Sequence, residues 1–224
     1  MDKGKLIVIE GLDGCGKATQ TKLLTQGLSE RGLKVKHVSF PNYDNPSSSL
    51  VRMYLNGCLG SSPDDVNAYA ASSFYAVDRY ASFKQFWQKD YENGTIILAD
   101  RYSTSNAIYQ LSKVAEGERQ TFLNWLEFYE YTQLQLPKPD AVIYLDMPIE
   151  VSQALLTQRY KGDNSKKDLH ESNFSFLQQC RKSALYSAKE QNWNVIRCYA
   201  DNKPRQIDAI HSDIMCLVEK LLNE

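Results

Sequence analysis

An apolar segment that runs directly into a glycine-rich loop restricts the fold of this chain more than any other feature. Residues 6–9 read Leu-Ile-Val-Ile, and the loop after them ends in Gly16 and Lys17. Gly11, Gly16 and Lys17 have the spacing of a P-loop, in which successive backbone N–H groups surround a phosphate chain and the lysine reaches its end. The pattern predicts a buried strand, a phosphate-binding loop and a helix that begins near Ala18. The alternative is a glycine turn that merely joins a strand to a helix.

The residue after the P-loop lysine departs from the usual motif. A Ser or Thr there supplies a hydroxyl that binds the Mg²⁺ bridging the phosphates, whereas this chain has Ala18. A methyl group does not bind a metal ion, so either another side chain takes its place or phosphates and water hold the ion. Asp13 is the nearest oxygen donor in the loop. Glu171 is the second carboxylate expected to reach Mg²⁺, and the alternative is that it caps the helix that follows.

Length, charge and cysteine usage exclude several classes of protein. A chain of 224 residues with a net charge of −1 can form one domain with a large core, and its charge does not favour nucleic acid or a membrane surface as a partner. No apolar run approaches the roughly 18 residues of a membrane span. The five cysteines are scattered, and the first strand starts too early to leave room for a signal peptide. We therefore expect a cytoplasmic protein.

Strand-like and helix-like segments alternate along the chain. Helices are expected between the strands, among them a long helix that Asp64 and Asp65 open and that ends near Lys89, and a last helix from Pro204. Five strands with intervening helices predict one doubly wound α/β domain over residues 1–224, with a parallel sheet and ligands outside the carboxyl ends of its strands. The predicted strands are 4–10, 33–40, 95–99, 141–145 and 194–199.

The segment after the third predicted strand carries side chains that suit a nucleotide. Asp100 and Arg101 end this strand, where an arginine can bind a phosphate through two hydrogen bonds. The alternative is the capped start of a helix with an incidental arginine. Asn106 and Tyr109 are three residues apart, so an amide and a phenol face the same side of the next helix.

The long helix adds an aromatic residue and an arginine. Tyr75 and Arg79 lie four residues apart and therefore share one face. A ring beside a guanidinium suits a flat, polar, anionic ligand such as a nucleotide. For Tyr75 alone, packing in the core is an equally good interpretation.

A polar and basic stretch begins near residue 158. By itself it has the composition of a solvated surface loop. With a P-loop elsewhere in the chain, residues 159–171 become a candidate lid that closes over ATP and brings cations to the transferred phosphoryl group. The cations predicted to act in catalysis are Arg159, Lys161, Lys166 and Lys167. The three histidines share no metal-ligand spacing, and we assign them no catalytic role.

These motifs, taken together and in this order, resemble the thymidylate kinase family. The resemblance runs from residue 4 to about 171 and implies a P-loop nucleoside triphosphate hydrolase fold. It also implies transfer of the γ-phosphoryl group of ATP to dTMP, giving dTDP for dTTP synthesis, and a homodimer. The matching motifs are Gly-Leu-Asp-Gly-Cys-Gly-Lys-Ala-Thr-Gln at 11–20, Phe-Pro at 40–41, Tyr-Ala-Val-Asp-Arg at 75–79, Asp-Arg-Tyr at 100–102 and Leu-Pro-Lys-Pro-Asp at 136–140.

For the phosphate donor, the resemblance implies a P-loop that holds ATP and a lid that closes on it. Arg159 would pack on adenine. The family divides into enzymes whose catalytic arginine lies in the P-loop and enzymes whose arginine lies in the lid, and residues 12–15 contain no arginine. This chain is therefore expected to use its lid. The residues matched to the ATP-binding loop are Gly11, Leu12, Asp13, Gly14, Cys15, Gly16, Lys17, Ala18 and Thr19.

For the acceptor, the resemblance implies contacts to the base, sugar and phosphate of dTMP. Tyr75 would stack on thymine, and Arg79 and Asn106 would hydrogen-bond the base. Asp13 would contact the 3′-hydroxyl and help to organise Mg²⁺, while Tyr109 would crowd the 2′ position and favour deoxyribose. The other residues matched to the acceptor site are Phe40, Asp100 and Arg101, of which Arg101 would bind the phosphate.

This chain departs from the family pattern at three places, which leaves other functions open. Ala18 replaces the hydroxyl residue, and Asn42 follows the Phe-Pro pair where many relatives have an arginine, so Arg52 becomes a candidate contact for the acceptor phosphate. The lid has lysines where arginines are usual, and a lysine does not replace a two-pronged arginine. The alternatives are a kinase for another nucleotide and a catalytically weak nucleotide-binding protein. A GTPase is disfavoured because no Asn-Lys-x-Asp motif occurs.

Overall fold

A five-stranded parallel sheet forms the centre of the protein, as the sequence predicts. The computed structural model describes residues 3–163 and 168–223. Within these residues the strands follow the order β2-β3-β1-β4-β5, and every neighbouring pair is parallel. The strands are β1 (Leu6–Glu10), β2 (Val35–Ser39), β3 (Ile96–Asp100), β4 (Ala141–Asp146) and β5 (Asn194–Arg197).

Helices cover both faces of this sheet. The predicted long helix up to Lys89 is interrupted by the π-helical segment Phe83–Trp87, and a second π-helical segment, Phe128–Gln133, extends a later helix. The α-helices of the described residues are α1 (Lys17–Glu30), α2 (Ser49–Leu55), α3 (Ala68–Ser82), α4 (Gln88–Glu92), α5 (Thr104–Tyr109), α6 (Arg119–Glu127), α7 (Ile149–Arg159), α8 (Phe174–Glu190) and α9 (Ile207–Asn223).

Strand β1 lies at the middle of the sheet and is buried along its whole length. Side chains of a strand point alternately to the two faces, so Leu6 and Val8 pack with α5 and α8, whereas Ile7 and Ile9 pack with α1 and α9. A strand that is covered on both faces is nearly continuously apolar, and β1 departs from this only at its last residue, Glu10. The carboxyl ends of β1 and β3 lie side by side, with Ile9 beside Asp100, so the P-loop and the segment after β3 meet at one edge.

Two predicted helix starts are wrong because local hydrogen bonds outweigh the sequence pattern. Helix α3 begins at Ala68 instead of Asp64, since the Asn67 side chain accepts a hydrogen bond of 2.9 Å from a backbone N–H of its first turn. The last helix begins at Ile207. Pro204 pairs instead in a short antiparallel ribbon of β6 (Tyr199–Ala200) and β7 (Lys203–Pro204), which the sequence analysis missed.

Candidate active site

A cavity of about 720 Å³ lies at this edge of the sheet. Its volume falls within the range of roughly 300–1,000 Å³ that small-molecule sites occupy. Most of the residues predicted from the sequence line it. They come from the P-loop, the segment after β2, α3, the end of β3 and the segment after it, the end of α7 and the segment before α8. They are Asp13, Gly14, Gly16, Lys17, Ala18, Thr19, Phe40, Tyr75, Arg79, Asp100, Arg101, Asn106, Tyr109, Arg159 and Glu171.

The P-loop joins β1 to α1 with its backbone toward the cavity. Gly16 precedes α1 at a φ of 97°, and no described side chain caps the helix there. A Cβ atom on Gly14 would lie 2.4 Å from the carbonyl oxygen of Ser152, so the loop packs too closely on α7 for a side chain. The N–H groups of the first helical turn and the helix dipole make this end attractive to anions. The geometry fits the phosphates of a nucleotide.

Three charged side chains meet at the P-loop. Asp13 forms an ion pair with Arg101, and the Lys17 Nζ atom lies 3.7 Å from the same carboxylate. Burial raises the pKa of Asp13, but the charges of Arg101 and Lys17 outweigh burial and hold this pKa well below its usual range. Asp13 is therefore ionised, and two cations lie in the wall of the cavity where an anionic ligand would approach.

Tyr109 completes the surroundings of Asp13. Its hydroxyl donates a hydrogen bond of 2.9 Å to Asp13 Oδ2, and the Arg101 guanidinium lies 5.2 Å from the centre of its ring. Burial raises the pKa of Tyr109 well above its usual range, so the hydroxyl stays protonated. The phenol is held at the cavity wall beside the two groups that we predicted to contact the acceptor sugar and phosphate.

A buried carboxylate that the sequence analysis did not single out holds the segment after β3. Glu10 is fully buried at the end of β1, and it accepts hydrogen bonds from the backbone of Tyr102 (3.1 Å) and from the hydroxyls of Thr104 (2.7 Å) and Ser105 (2.8 Å). Arg101 has a left-handed φ of 70°, which a residue with a side chain rarely adopts. The bonds to Glu10 hold the residues after Arg101 and so fix this conformation.

Arg79 is buried and held by a glutamate from the second π-helical segment. Its Nε atom donates to Glu130 Oε2 at 2.8 Å, its Nη2 atom donates to Glu130 Oε1, and its Nη1 atom donates to the Tyr102 carbonyl at 3.2 Å. Asn106 donates a further hydrogen bond of 3.3 Å to Glu130 Oε1. The described residues account for three of the five N–H donors of Arg79. Arg79 also lines the cavity, so its remaining donors are candidates for contact with a ligand.

Two carboxylates at the end of the candidate lid, Asp168 and Glu171, line the same cavity as Asp13. Burial raises the pKa of Glu171, and the charges of Asp13 and Asp168 raise it further. A bound cation would relieve this repulsion. Among the described residues no group of three or more His, Cys, Asp or Glu side chains is arranged to hold a metal ion. Mg²⁺ usually binds one or two carboxylates and takes its other ligands from phosphates and water, so these residues fit a Mg²⁺ bound to nucleotide phosphates.

Three predicted P-loop residues face the core instead of the cavity. Leu12 and Cys15 are buried at 2% and 3% exposure, and Gly11 packs so closely that a Cβ atom would lie 2.5 Å from Cys15 Sγ. The Leu12 and Cys15 side chains pack in the core, and Gly11 leaves room for Cys15. A contact between ATP and their backbone atoms stays a prediction.

Two predicted cationic contacts are not brought to the cavity within the described residues. The Arg52 guanidinium donates hydrogen bonds to the Tyr43 carbonyl at 2.8 Å and to the Ser48 hydroxyl at 2.6 Å. Both acceptors lie in the segment that leads into α2, so this segment and not the cavity holds the arginine. Lys161 follows α7 and is exposed, with a left-handed φ of 54°. The other two lysine candidates, Lys166 and Lys167, lie outside the described residues.

Gln110 is the most informative cavity residue that the sequence analysis missed. It is fully buried and lines the cavity. Its amide lies near the Tyr54 hydroxyl without the geometry of a hydrogen bond, and neither of its polar atoms has a partner among the described residues. A buried amide without a partner is costly, so Gln110 is a candidate for contact with a ligand in the cavity that it lines. The signal in the sequence was its position four residues after Asn106, on the same helix face.

Comparison with known proteins agrees with this site. The family model described as thymidylate kinase matches residues 9–214. The chain belongs to the thymidylate kinase family. The prediction of a nucleoside monophosphate kinase with thymidylate kinase function is thereby confirmed, and the family uses ATP as its phosphate donor.

Individual relatives match over most of the chain. A thymidylate kinase from Prochlorococcus marinus is 31% identical over 87% of this chain and 85% of its own length. A probable thymidylate kinase from Thermococcus kodakarensis is 28% identical over 97% of this chain and 98% of its own length. The solved structure of a thymidylate kinase from Candida albicans matches with a TM-score of 0.70 at 22% identity, over 99% of this chain and 93% of that chain. This last likeness supports the fold.

The helices of the described residues do not include one that combines the length and the apolar composition needed to cross a membrane.

Proposed function

We propose that the chain, as one kinase domain over residues 1–224, transfers the γ-phosphoryl group of ATP to dTMP. One observation carries this proposal. A single cavity is lined both by a P-loop at the start of a helix and by a buried arginine with two amide side chains, Arg79, Asn106 and Gln110. The first set suits a phosphate chain, and the second suits the polar edge of a base. A phosphotransferase needs both ligands in one place.

The acceptor is proposed to lie between Arg79 and Arg101. Arg79, Asn106 and Gln110 would hydrogen-bond thymine, since their amide and guanidinium groups line the cavity and are not fully used by the protein. Tyr75 would stack on the base, with Phe40 and Asp100 completing the wall. Arg101 would exchange its ion pair with Asp13 for the acceptor phosphate, which leaves the Asp13 carboxylate free for the 3′-hydroxyl or for Mg²⁺.

The donor is proposed to bind along the P-loop, with its phosphates on the N-terminus of α1 and Lys17. Arg159 lines the cavity at the end of α7 and would pack on adenine. Asp13 and Glu171 would hold Mg²⁺ together with the nucleotide phosphates, and the ion would supply positive charge against the negative charge that develops on the transferred phosphoryl group. Lys161, Lys166 and Lys167 stay the candidates for a lid cation.

A panel of acceptors tests the proposed reaction. The protein is incubated with ATP, Mg²⁺ and either dTMP, dUMP, dCMP, dGMP, UMP or thymidine, and the phosphorylated product is quantified. We expect dTMP to give the highest kcat/KM. The Lys17→Ala variant is the matched control, because it removes the P-loop charge and should abolish turnover at this site. Preference for another acceptor would indicate a different nucleotide kinase, and nucleotide binding without turnover would indicate a binding protein.

A homodimer through α3 is also proposed. Val77 and Tyr80 are three residues apart on α3, and they are 48% and 42% exposed; Phe86 in the following π-helical segment is 47% exposed. Large apolar side chains grouped on one helix face favour burial against a partner. Sedimentation equilibrium should give a dimer for the wild type and a monomer for Val77→Asp. Val195→Asp, on the exposed side of β5, is the control that should stay dimeric. A monomeric wild type would contradict this proposal.

Residence in a reducing compartment, the cytoplasm, is proposed from the cysteines. All five of them are free thiols, of which three are buried and two are exposed. Exposed free thiols are typical of proteins that stay in a reducing environment. Localisation of a tagged chain by fractionation of the source cells tests this proposal.

A further inference from the structure

His170 reaches the acceptor side of the cavity from the end of the candidate lid, in residues 168–171. Its side chain is buried and lines the cavity. The imidazole stacks on the ring of Tyr109, with ring centres 5.4 Å apart and planes inclined by 13°. The ring of Phe176, in α8, packs against the same imidazole at 4.9 Å. His170 therefore connects the lid segment, α8 and the phenol that borders Asp13.

Hydrogen bonds fix the imidazole in this place. Its Nε2 atom lies 2.9 Å from the Tyr54 hydroxyl, which also accepts a hydrogen bond of 2.7 Å from Lys113 Nζ. Lys113 in turn donates to the Val66 carbonyl at 3.0 Å. A ring nitrogen of histidine forms its hydrogen bonds in the plane of the ring. The bond to Tyr54 therefore sets the plane of the imidazole whose face lies on Tyr109.

The stack with His170 restrains rotation of the Tyr109 ring, which the hydrogen bond from the Tyr109 hydroxyl does not restrain. The phenol oxygen lies on the axis about which the ring turns, so the bond from the hydroxyl to Asp13 (2.9 Å) holds the tip of the side chain and leaves the ring free to rotate. Rotation about this last torsion of an aromatic side chain has a broad profile. The flat face of His170 opposes this rotation, together with the Arg101 guanidinium, which lies 5.2 Å from the centre of the ring.

We propose that His170 is a positioning residue for sugar selection: it holds the ring plane of Tyr109 and thereby sets the room left for a 2′-hydroxyl on the acceptor. The proposal rests on the proposed function, which places the acceptor sugar at Tyr109. His170 does not touch the reacting atoms. It therefore affects the ratio of kcat/KM values for deoxyribonucleotide and ribonucleotide acceptors. Sugar selection then depends on a residue that is distant in sequence from Tyr109.

Replacement of His170 tests the proposal with two acceptors that differ only at the 2′ position, dTMP and ribothymidine 5′-monophosphate. The ratio of their kcat/KM values, and the ratio of their dissociation constants from calorimetry, are measured for the wild type, His170→Leu and His170→Phe. An aromatic stack is worth roughly a three- to tenfold factor, so we expect His170→Leu to narrow the ratio by about this amount. His170→Phe keeps a flat ring and should restore most of it.

Ile214→Ala is the control for general stability, because Ile214 is fully buried in the cluster on the other face of the sheet, which includes neither Tyr109 nor Tyr54. It should leave the ratio unchanged even if turnover falls. An unchanged ratio in His170→Leu, or equal narrowing in Ile214→Ala, would overturn the proposal, since either result means that His170 acts only through general stability. Absence of dTMP turnover in the wild type would refute the proposed function separately, and the ratio of dissociation constants would still decide the role of His170.

Discussion

Removal of the Glu130 carboxylate should destabilise the protein strongly, because it leaves the Arg79 guanidinium buried without a counter-charge. The side chains of Arg79 and Glu130 are 1% and 0% exposed. The carboxylate accepts two hydrogen bonds from Arg79 and one from Asn106. In the Glu130→Ala variant all three donors lose their acceptor, and water has little access to replace it.

The burial of the pair sets the expected size of the effect. Breaking a buried ion pair by removing one partner costs about 3–5 kcal/mol, a large part of the roughly 5–15 kcal/mol that stabilises a typical domain. For a domain of this size each kcal/mol corresponds to about 2–4 °C in Tm, so Glu130→Ala should melt roughly 6–20 °C below the wild type. Glu130→Gln keeps a neutral hydrogen-bond acceptor and should lose less stability than Glu130→Ala.

Urea unfolding followed by tryptophan fluorescence measures the free energy of unfolding of each variant. Glu116→Ala is the control, because Glu116 is 88% exposed in its pair with Arg119 and such pairs contribute at most about 1 kcal/mol. The double variant Arg79→Met/Glu130→Leu should regain most of the lost stability, since an apolar pair often replaces a buried ion pair without cost. If Glu130→Ala loses no more free energy of unfolding than Glu116→Ala, the ion pair between Arg79 and Glu130 is solvated and our description of it as buried is wrong.

Three further substitutions test the assignment of residues to the two ligands. Arg101→Ala should weaken dTMP binding while ATP affinity, measured by calorimetry, stays within about twofold; loss of ATP binding would contradict its place at the acceptor. Gln110→Leu should raise the KM for dTMP about tenfold without lowering Tm, because a buried amide that lacks a partner adds no stability. An unchanged KM would mean that Gln110 does not contact the base. Ala18→Ser should lower the Mg²⁺ concentration needed for half-maximal turnover without changing kcat more than severalfold. If it instead converts an inert protein into a kinase, the natural chain is a binding protein.

The sequence by itself determined the fold class and the position of the phosphate site. Both follow from rules that act over a few residues. A strand covered on both faces reads as a nearly continuous apolar run, as residues 6–9 of β1 do, and a loop that wraps phosphate needs glycines at set intervals before a helix. Each motif of the family can also be read from a few neighbouring residues. The family match over residues 9–214 confirms the predicted membership of the thymidylate kinase family. Helix starts were less predictable, since one side-chain hydrogen bond from Asn67 moved the start of α3 to Ala68.

Only the tertiary structure decided which side chains support the site. Glu130 binds Arg79 across 51 positions, Glu10 holds the backbone of Tyr102 across 92, and His170 meets the Tyr54 hydroxyl across 116. None of these acidic or imidazole groups lies in a periodic pattern, because their partners are brought together by the packing of helices over the sheet and not by neighbouring residues. A buried charge needs a partner, and in a folded protein this partner can be any residue that the tertiary structure brings close. The residues around the charge in the sequence therefore do not predict which partner it has.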